Sequence, residues 1–160
     1  MLGKLFGKNS ALEVLAPVEG EVVPITQVND PAFSEEILGK GVALRPSAGR
    51  VVSPVNGKVT QMFETGHAVT LESEDGIEIL IHVGLDTVSL KGEHYTIHAH
   101  TGDKVKAGDL LMEFNKDNIE RAGFETITPV IICNSDDFKS IEMSDEHFVR
   151  ELDRLMDIRK

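Results

Sequence analysis

The sequence predicts an all-β protein: an antiparallel β-sandwich or barrel with internal duplication, short helical turns and a C-terminal helix. Three observations predict it. Glycine and proline punctuate the chain roughly every 8 to 12 residues, and the segments between are short and β-rich. Ala16-Pro-Val-Glu-Gly-Glu-Val22 recurs as Ser53-Pro-Val-Asn-Gly-Lys-Val59, a strand–turn–strand signal of the form (Ala/Ser)-Pro-Val-x-Gly-x-Val. The stretch TGHAVTLESEDGIEILIHVGLDTV, residues 65–88, reads as two strands meeting at Asp75-Gly76, a strong hairpin signal.

In chain order, residues 1–11 form a flexible tail. It carries Lys4 and Lys8 with Leu2, Leu5 and Phe6 on one helical face, enough for at most peripheral contact with an anionic membrane. It lacks the apolar centre of a secretory signal. Residues 12–143 form the β-domain. Within it, Asp30-Pro31 are N-cap and first residue of a helical turn reaching Glu36, and Asp117 to Ala122, closed by Gly123, is a second turn. A third turn signal, Gly102 to Gly108, precedes the strand Leu110 to Phe114. Cys133, the single cysteine, lies in the apolar run Pro129-Val-Ile-Ile-Cys and is expected to be a buried thiol. It has no intramolecular partner for a disulfide, which suits a reducing, cytoplasmic setting. Lys139 to Met143 reads as a strand. Residues 144–160 read as a helix packed on the domain. Ser144 is its N-cap, and Phe148, Leu152, Leu155 and Met156 form its apolar face.

The hairpin has two candidate registers. If Ser73 faces Gly76, His67 lies opposite His82 on one face. A three-residue loop with a glycine bulge instead pairs Val69 with Ile81 and Leu71 with Ile79. The apolar pattern favours that pairing, which sets the two rings on opposite faces.

The 160 residues suit one domain with a real core, and 41% of them are apolar. A formal net charge of −11 argues against non-specific nucleic-acid binding and points to basic protein partners. No apolar run is long enough for a membrane span. Phosphate-binding glycine loops and a GxSxG nucleophile elbow are absent.

A histidine pair on adjacent strands has three chemical uses: nucleophile toward phosphorus with a stabilising neighbour, metal ligation, or general base. Thr65 stands two residues before His67 and can fix its tautomer. Gly84 stands two after His82 and offers an open carbonyl. Phe33, Leu38, Phe63, Leu80 and Val88 can supply an apolar collar, with Asp30 and Asp86 as acidic contacts.

These residues carry a resemblance. TGHAVTLESEDGIEILIHVGLDTVSLKGE resembles the glucose-class enzyme IIA domains of the bacterial phosphoenolpyruvate-dependent sugar phosphotransferase system. The resemblance extends through APVEGEVVPI, PAFSEEILGKGVALRPS, VSPVNGKVTQMFETGH, GDKVKAGDLLMEF and TPVII. It implies a phosphoryl carrier, a protein-histidine phosphotransferase. Such a carrier accepts from the phosphohistidine of HPr and passes the group to a cysteine of an enzyme IIB domain. It implies His82 as the phosphorylated residue, by its H-x-G-x-D-T-V context, His67 as phosphoryl stabiliser, and Thr65 and Gly84 as their supports. It implies docking through the collar, no cofactor and no metal. Possible regulatory protein targets go with it. The resemblance also favours the register that opposes the histidines, with a bulge preserving the apolar face. Family members commonly end in a further strand, where this chain reads as helical.

Rival readings follow from other motifs. His82-x3-Asp86 and His98-x-His100 are zinc-ligand spacings of lysostaphin-type peptidases, but in reversed order relative to the turn motifs. His94, His98 and His100 alternate with Tyr95, Ile97 and Ala99 as the wet face of a strand. SPVNGKV and GDKVKAGDLL suggest a lipoyl or biotinyl carrier, but the hairpin tip Glu74-Asp75 lacks the lysine such a carrier modifies. A regulatory binding module of the same fold would need neither histidine.

Overall fold

The computed structural model describes residues 11–160. The tail and its apolar face at Leu2, Leu5 and Phe6 therefore lie outside the described residues, Ala11 excepted. The described strands are β1 (Leu12–Leu15), β2 (Gly20–Pro24), β3 (Lys40–Pro46), β4 (Arg50–Val52), β5 (Gly57–Met62), β6 (Ala68–Ser73), β7 (Glu78–His82), β8 (Tyr95–Ile97), β9 (Lys104–Val105), β10 (Leu110–Phe114), β11 (Thr128–Ile132), β12 (Ser140–Met143), β13 (Phe148–Val149) and β14 (Arg154–Arg159). They form an eight-stranded sheet, β13-β2-β3-β11-β7-β6-β5-β9, and two three-stranded sheets, β1-β14-β12 and β4-β10-β8. Every pairing is antiparallel. The main core is aliphatic, built from residues such as Leu44, Leu71, Ile79, Ile81, Leu111 and Leu155. A second, smaller cluster on the large sheet's other face includes Phe33, Ala43, Ala68, Leu80 and Ile131.

The strand order is a palindrome about the β11–β7 pair, and the duplication explains it. One half runs unbroken from β4 to β10. The other is split into β1–β3 and β11–β14. The repeated Pro-Val turns bond each other reciprocally: Leu15 N–H donates to the Pro54 carbonyl at 3.0 Å, and Val52 N–H donates to that of Pro17 at 2.8 Å. The duplication predicted from seven residues thus spans the whole domain.

It also corrects the C-terminus. Residues 144–160 are not a helix; they contain β13 and β14. Phe148-Val-Arg-Glu-Leu-Asp-Arg-Leu-Met-Asp-Ile158 is the counterpart of Lys104-Val-Lys-Ala-Gly-Asp-Leu-Leu-Met-Glu-Phe114. In each copy an aspartate closes the turn by accepting from the backbone three residues earlier, Asp153 from Arg150 and Asp109 from Lys106. In each copy the register shifts at the same place. Leu110↔Val52 gives way to Met112↔Val51, and Leu15↔Arg154 to Val14↔Met156. Leu111 and Leu155 are the extra residues. A bulge turns two consecutive side chains inward, so Leu155 and Met156 are both fully buried. That irregularity mimics helical spacing. Phe148 and Leu152, the remaining residues of the supposed apolar face, are 46% and 37% exposed.

The hairpin adopts the bulged register. Val69 pairs with Ile81, Leu71 with Ile79, and Ala68, not His67, with His82. Ser73 N–H reaches the Ile77 carbonyl at 2.8 Å, leaving Glu74-Asp75-Gly76 as a three-residue loop with Gly76 at φ +86°. Val69, Leu71, Ile79 and Ile81 are at most 1% exposed, and their burial fixes this register. The expectation that it would part the rings fails for a local reason. β6 begins only at Ala68, and His67 lies in the bend before it, free of the pleat.

Two short helices follow the sequence. Pro31–Ser34 is capped by Asp30, whose Oδ1 accepts from Ala32 N–H at 3.0 Å. Lys116–Arg121 is capped by Asn115. Cys133, expected to be buried, is exposed: β11 ends at Ile132, and the thiol belongs to the turn beyond.

Candidate functional site

His82 is the last residue of β7, half-buried, with Nδ1 2.7 Å from the carbonyl oxygen of Gly84. A carbonyl only accepts, so Nδ1 carries the proton and Nε2 keeps its lone pair. Gly84 can turn back in this way because it sits at φ +90°. A Cβ there would meet Thr87 Cγ2 at 2.5 Å and the Glu125 carbonyl oxygen at 2.8 Å.

His67 is 4% exposed, and its Nδ1 lies 2.5 Å from Thr65 Oγ1. The two imidazoles stand edge to face, ring centroids 4.9 Å apart and planes at 83°. Phe33 packs on His82 at 5.2 Å, and Phe63 on His67 at 5.5 Å. Burial lowers the His67 pKa to about 4, helped by the charge His82 would carry. Burial also lowers that of His82, against the opposing pull of the Gly84 bond, Asp30 and Asp86. At neutral pH both rings are therefore neutral, and the His82 Nε2 lone pair is available.

The structure brings Thr65, His67, His82 and Gly84 together, with Asp30 and Asp86 near enough to act on His82 electrostatically. The collar divides. Leu38 and Val88 are 41% and 56% exposed, and Phe63 is half-buried. Phe33 and Leu80 are buried, in the smaller core cluster, so they form the floor beneath the histidines rather than a docking rim. Sequence reasoning missed Ile37, 68% exposed beside Leu38. Its signal was an apolar pair at a turn, between Glu36 and Gly39, with no regular element to bury it. It also missed Thr87 and Tyr95, whose hydroxyls meet on one backbone carbonyl behind His82.

The other histidines do not join this site. His98 Nε2 lies 2.7 Å from Glu113, His100 faces Asp103, and His94 faces Glu93. Among the described residues, no three His, Cys, Asp or Glu side chains converge as metal donors. A polar hollow of about 670 Å³, lined by Ser47, His94, Glu113 and Lys116 among others, includes neither His67 nor His82. Among the described residues no helix is long and apolar enough to cross a membrane.

The family model for the phosphoenolpyruvate-dependent sugar phosphotransferase system, EIIA 1, matches residues 12–138. The glucose-specific EIIA component of Oceanobacillus iheyensis is 47% identical over 131 residues, covering 82% of this chain and 79% of that protein. The beta-glucoside-specific EIIBCA component of Bacillus subtilis is 49% identical over 123 residues. That match covers 77% of this chain but only 20% of the longer relative. The structure of glucose permease IIA from Mycoplasma capricolum superposes with a TM-score of 0.86 at 32% identity, covering 93% of this chain and 96% of that one. The chain belongs to the EIIA 1 family and is a phosphotransferase component of the sugar phosphotransferase system.

Proposed function

We propose that His82 Nε2 is the phosphoryl acceptor, that HPr is the donor, and that a cysteine of an EIIB domain receives the group in turn. The observation that carries this reading is the Nδ1–H bond to Gly84, which leaves Nε2 as the nucleophilic nitrogen beside a second, neutral imidazole. An N–P bond forms at His82 as the donor's N–P bond breaks. In onward transfer an S–P bond forms as the His82–phosphorus bond breaks. His67 keeps its proton on Nε2 when the Thr65 hydroxyl donates to Nδ1, and that N–H then donates to a phosphoryl oxygen. Positioning and charge stabilisation suffice for a loose phosphoryl-transfer transition state, so the scheme calls on no cofactor or metal.

Leu38, Val88 and Phe63, with Ile37, form the rim that meets either partner, and Asp30 and Asp86 meet its basic residues. The relatives named EIIBCA support an EIIB partner. The work is placed in the cytoplasm, where those partners act.

The test is incubation with phosphoenolpyruvate, enzyme I and HPr, followed by mass measurement. One acid-labile phosphoryl group is expected, lost in His82→Ala. Unchanged labelling of that variant overturns the assignment. Absence of labelling in the native chain, with partner binding retained, would favour a regulatory module of the same fold. His67→Gln should slow onward transfer to EIIB more than acceptance; equal slowing refutes the stabiliser role.

A further inference from the structure

The Gly84 carbonyl that orients His82 hangs on a glycine, and glycine does not hold a peptide plane by itself. The structure shows what does. The preceding peptide unit, between Val83 and Gly84, is pinned at both polar atoms. Its carbonyl accepts from Thr87 Oγ1 at 2.7 Å and from Tyr95 Oη at 2.8 Å. Its N–H donates to the Ile127 carbonyl at 3.0 Å. The next unit is held by Leu85 N–H on the Glu125 carbonyl at 3.1 Å.

Tyr95 does more than add one bond. It belongs to β8, in a different sheet from the hairpin, and reaches across to it. Val83 N–H, in the peptide just before the braced one, donates to the His67 carbonyl at 2.7 Å, so the residue whose carbonyl Tyr95 and Thr87 hold also ties the two histidine segments together. Tyr95 Cβ lies against Gly66, just before His67, where an added Cβ would approach it to 3.1 Å. Burial pushes the phenol up to about 12, so it remains a donor throughout the working pH range.

We propose that Tyr95 is a positioning residue for phosphoryl transfer: with Thr87 it locks the Val83 carbonyl, and so holds the Gly84 carbonyl where it fixes the His82 tautomer. This rests on His82 being the acceptor. Tyr95 touches neither phosphorus nor, in the proposed docking, the partner.

The decisive variant is Tyr95→Phe, which deletes one oxygen and keeps the ring. The kcat for acceptance from phospho-HPr should fall about 10-fold with KM unchanged, because the docking rim is intact. Nitrogen NMR of His82 should change from one tautomer, protonated on Nδ1, to a mixture. Thr87→Val removes the other donor and should give the same tautomer signature, whereas Thr87→Ser should retain native behaviour. Unchanged kcat and a single His82 tautomer in Tyr95→Phe overturn the proposal. So does an equal kcat loss in Ile158→Val, a main-core variant on β14 that keeps both hydroxyls. If His82→Ala still accepts phosphate, the acceptor assignment itself fails. If His82→Ala is inert and Tyr95→Phe is normal, only the positioning role fails.

Discussion

Lys40 and His67 occupy matching places in the two halves of the molecule, as do Ile131 and His82. The register establishes this. Val130 of β11 pairs with Ile81 of β7 at the centre of the large sheet. On one side Val42 and Gly41 pair with Val130 and Ile131; on the other Val69 and Ala68 pair with Ile81 and His82. The two backbones are alike, yet only one half carries the histidine pair. The difference lies in side chains and in one connection. Residues 25–39 join β2 to β3 and contain the helix bearing Phe33, whereas the matching link between β5 and β6 is only residues 63–67. The half without the histidine pair therefore lends its connection to the site of the other: Phe33 packs against His82 as part of the floor, and Asp30 acts on its charge. The backbone shelf is common to both halves, and the histidine pair belongs to the few residues that differ.

That comparison can be broken most directly by erasing the difference. His82→Ile installs in one half the residue that the other already has. Phosphoryl acceptance should vanish while thermal unfolding stays within a few degrees of native; a chain that fails to fold would mean the halves are not interchangeable at this position. Gly84→Ala should come next. Its methyl meets Thr87 and the Glu125 carbonyl at a φ that L-residues avoid, so a stability loss of about 2 kcal/mol or more is expected in urea titration, with acceptance at least about 10-fold slower. Native stability and rate would show that this turn is not what holds His82.

A third test uses pH. Burial lowers His67 from 6.5 to about 4, so the unfolded chain binds a proton that the folded chain refuses. Stability should be full above pH 6.5 and fall as the pH drops towards 4. The contribution is about 2–3 kcal/mol over that window, and His82 adds in the same direction. His67→Gln should flatten the slope, and Lys40→Gln, at the matching exposed place, should leave it as it is. An unaltered slope in His67→Gln would contradict the burial argument. The smallest effect concerns the turns before β10 and β14. Gly108 and Leu152 both adopt positive φ, +97° and +73°. Gly108→Ala should cost about 1 kcal/mol, whereas Leu152→Gly should cost less, because relief of left-handed strain offsets the lost contact. Equal costs would argue against their equivalence.

The fold class, the hairpin, the Asp30 cap and the histidine pair were legible because each rests on local chemistry: Asp-Gly at a turn, Asp-Pro at a helix start, glycine two residues past a histidine. What the sequence concealed was non-local or irregular. A bulge placed Leu155 beside Met156 on the inside and so imitated a helix. The signal that would have corrected it, the match between FVRELDRLMDI and KVKAGDLLMEF, is blurred because leucine stands where the first copy has glycine. The hairpin register followed the apolar pattern, but no periodic rule describes His67, which lies outside the strand. Phe33 and Leu80 resembled Leu38 and Val88 in composition; only packing separates floor from rim. Tyr95 was invisible because its partner, the Val83 carbonyl, is backbone brought close by a different sheet.

The split of one half around the other has a consequence for the order of folding. The segment from β4 to β10 can pair within itself as soon as it is made, and it contains both histidines. β7, however, keeps a bare edge until β11 arrives, and β1 has no partner until β14 does. Exposed edges of this kind invite aggregation, and long-range closure is slow. The two histidines thus precede the closing strands by about fifty residues, and the sheet that carries them closes only with its last strands. A chain interrupted after β10 would hold the complete histidine hairpin with one flank open, a target for proteolysis rather than a working carrier.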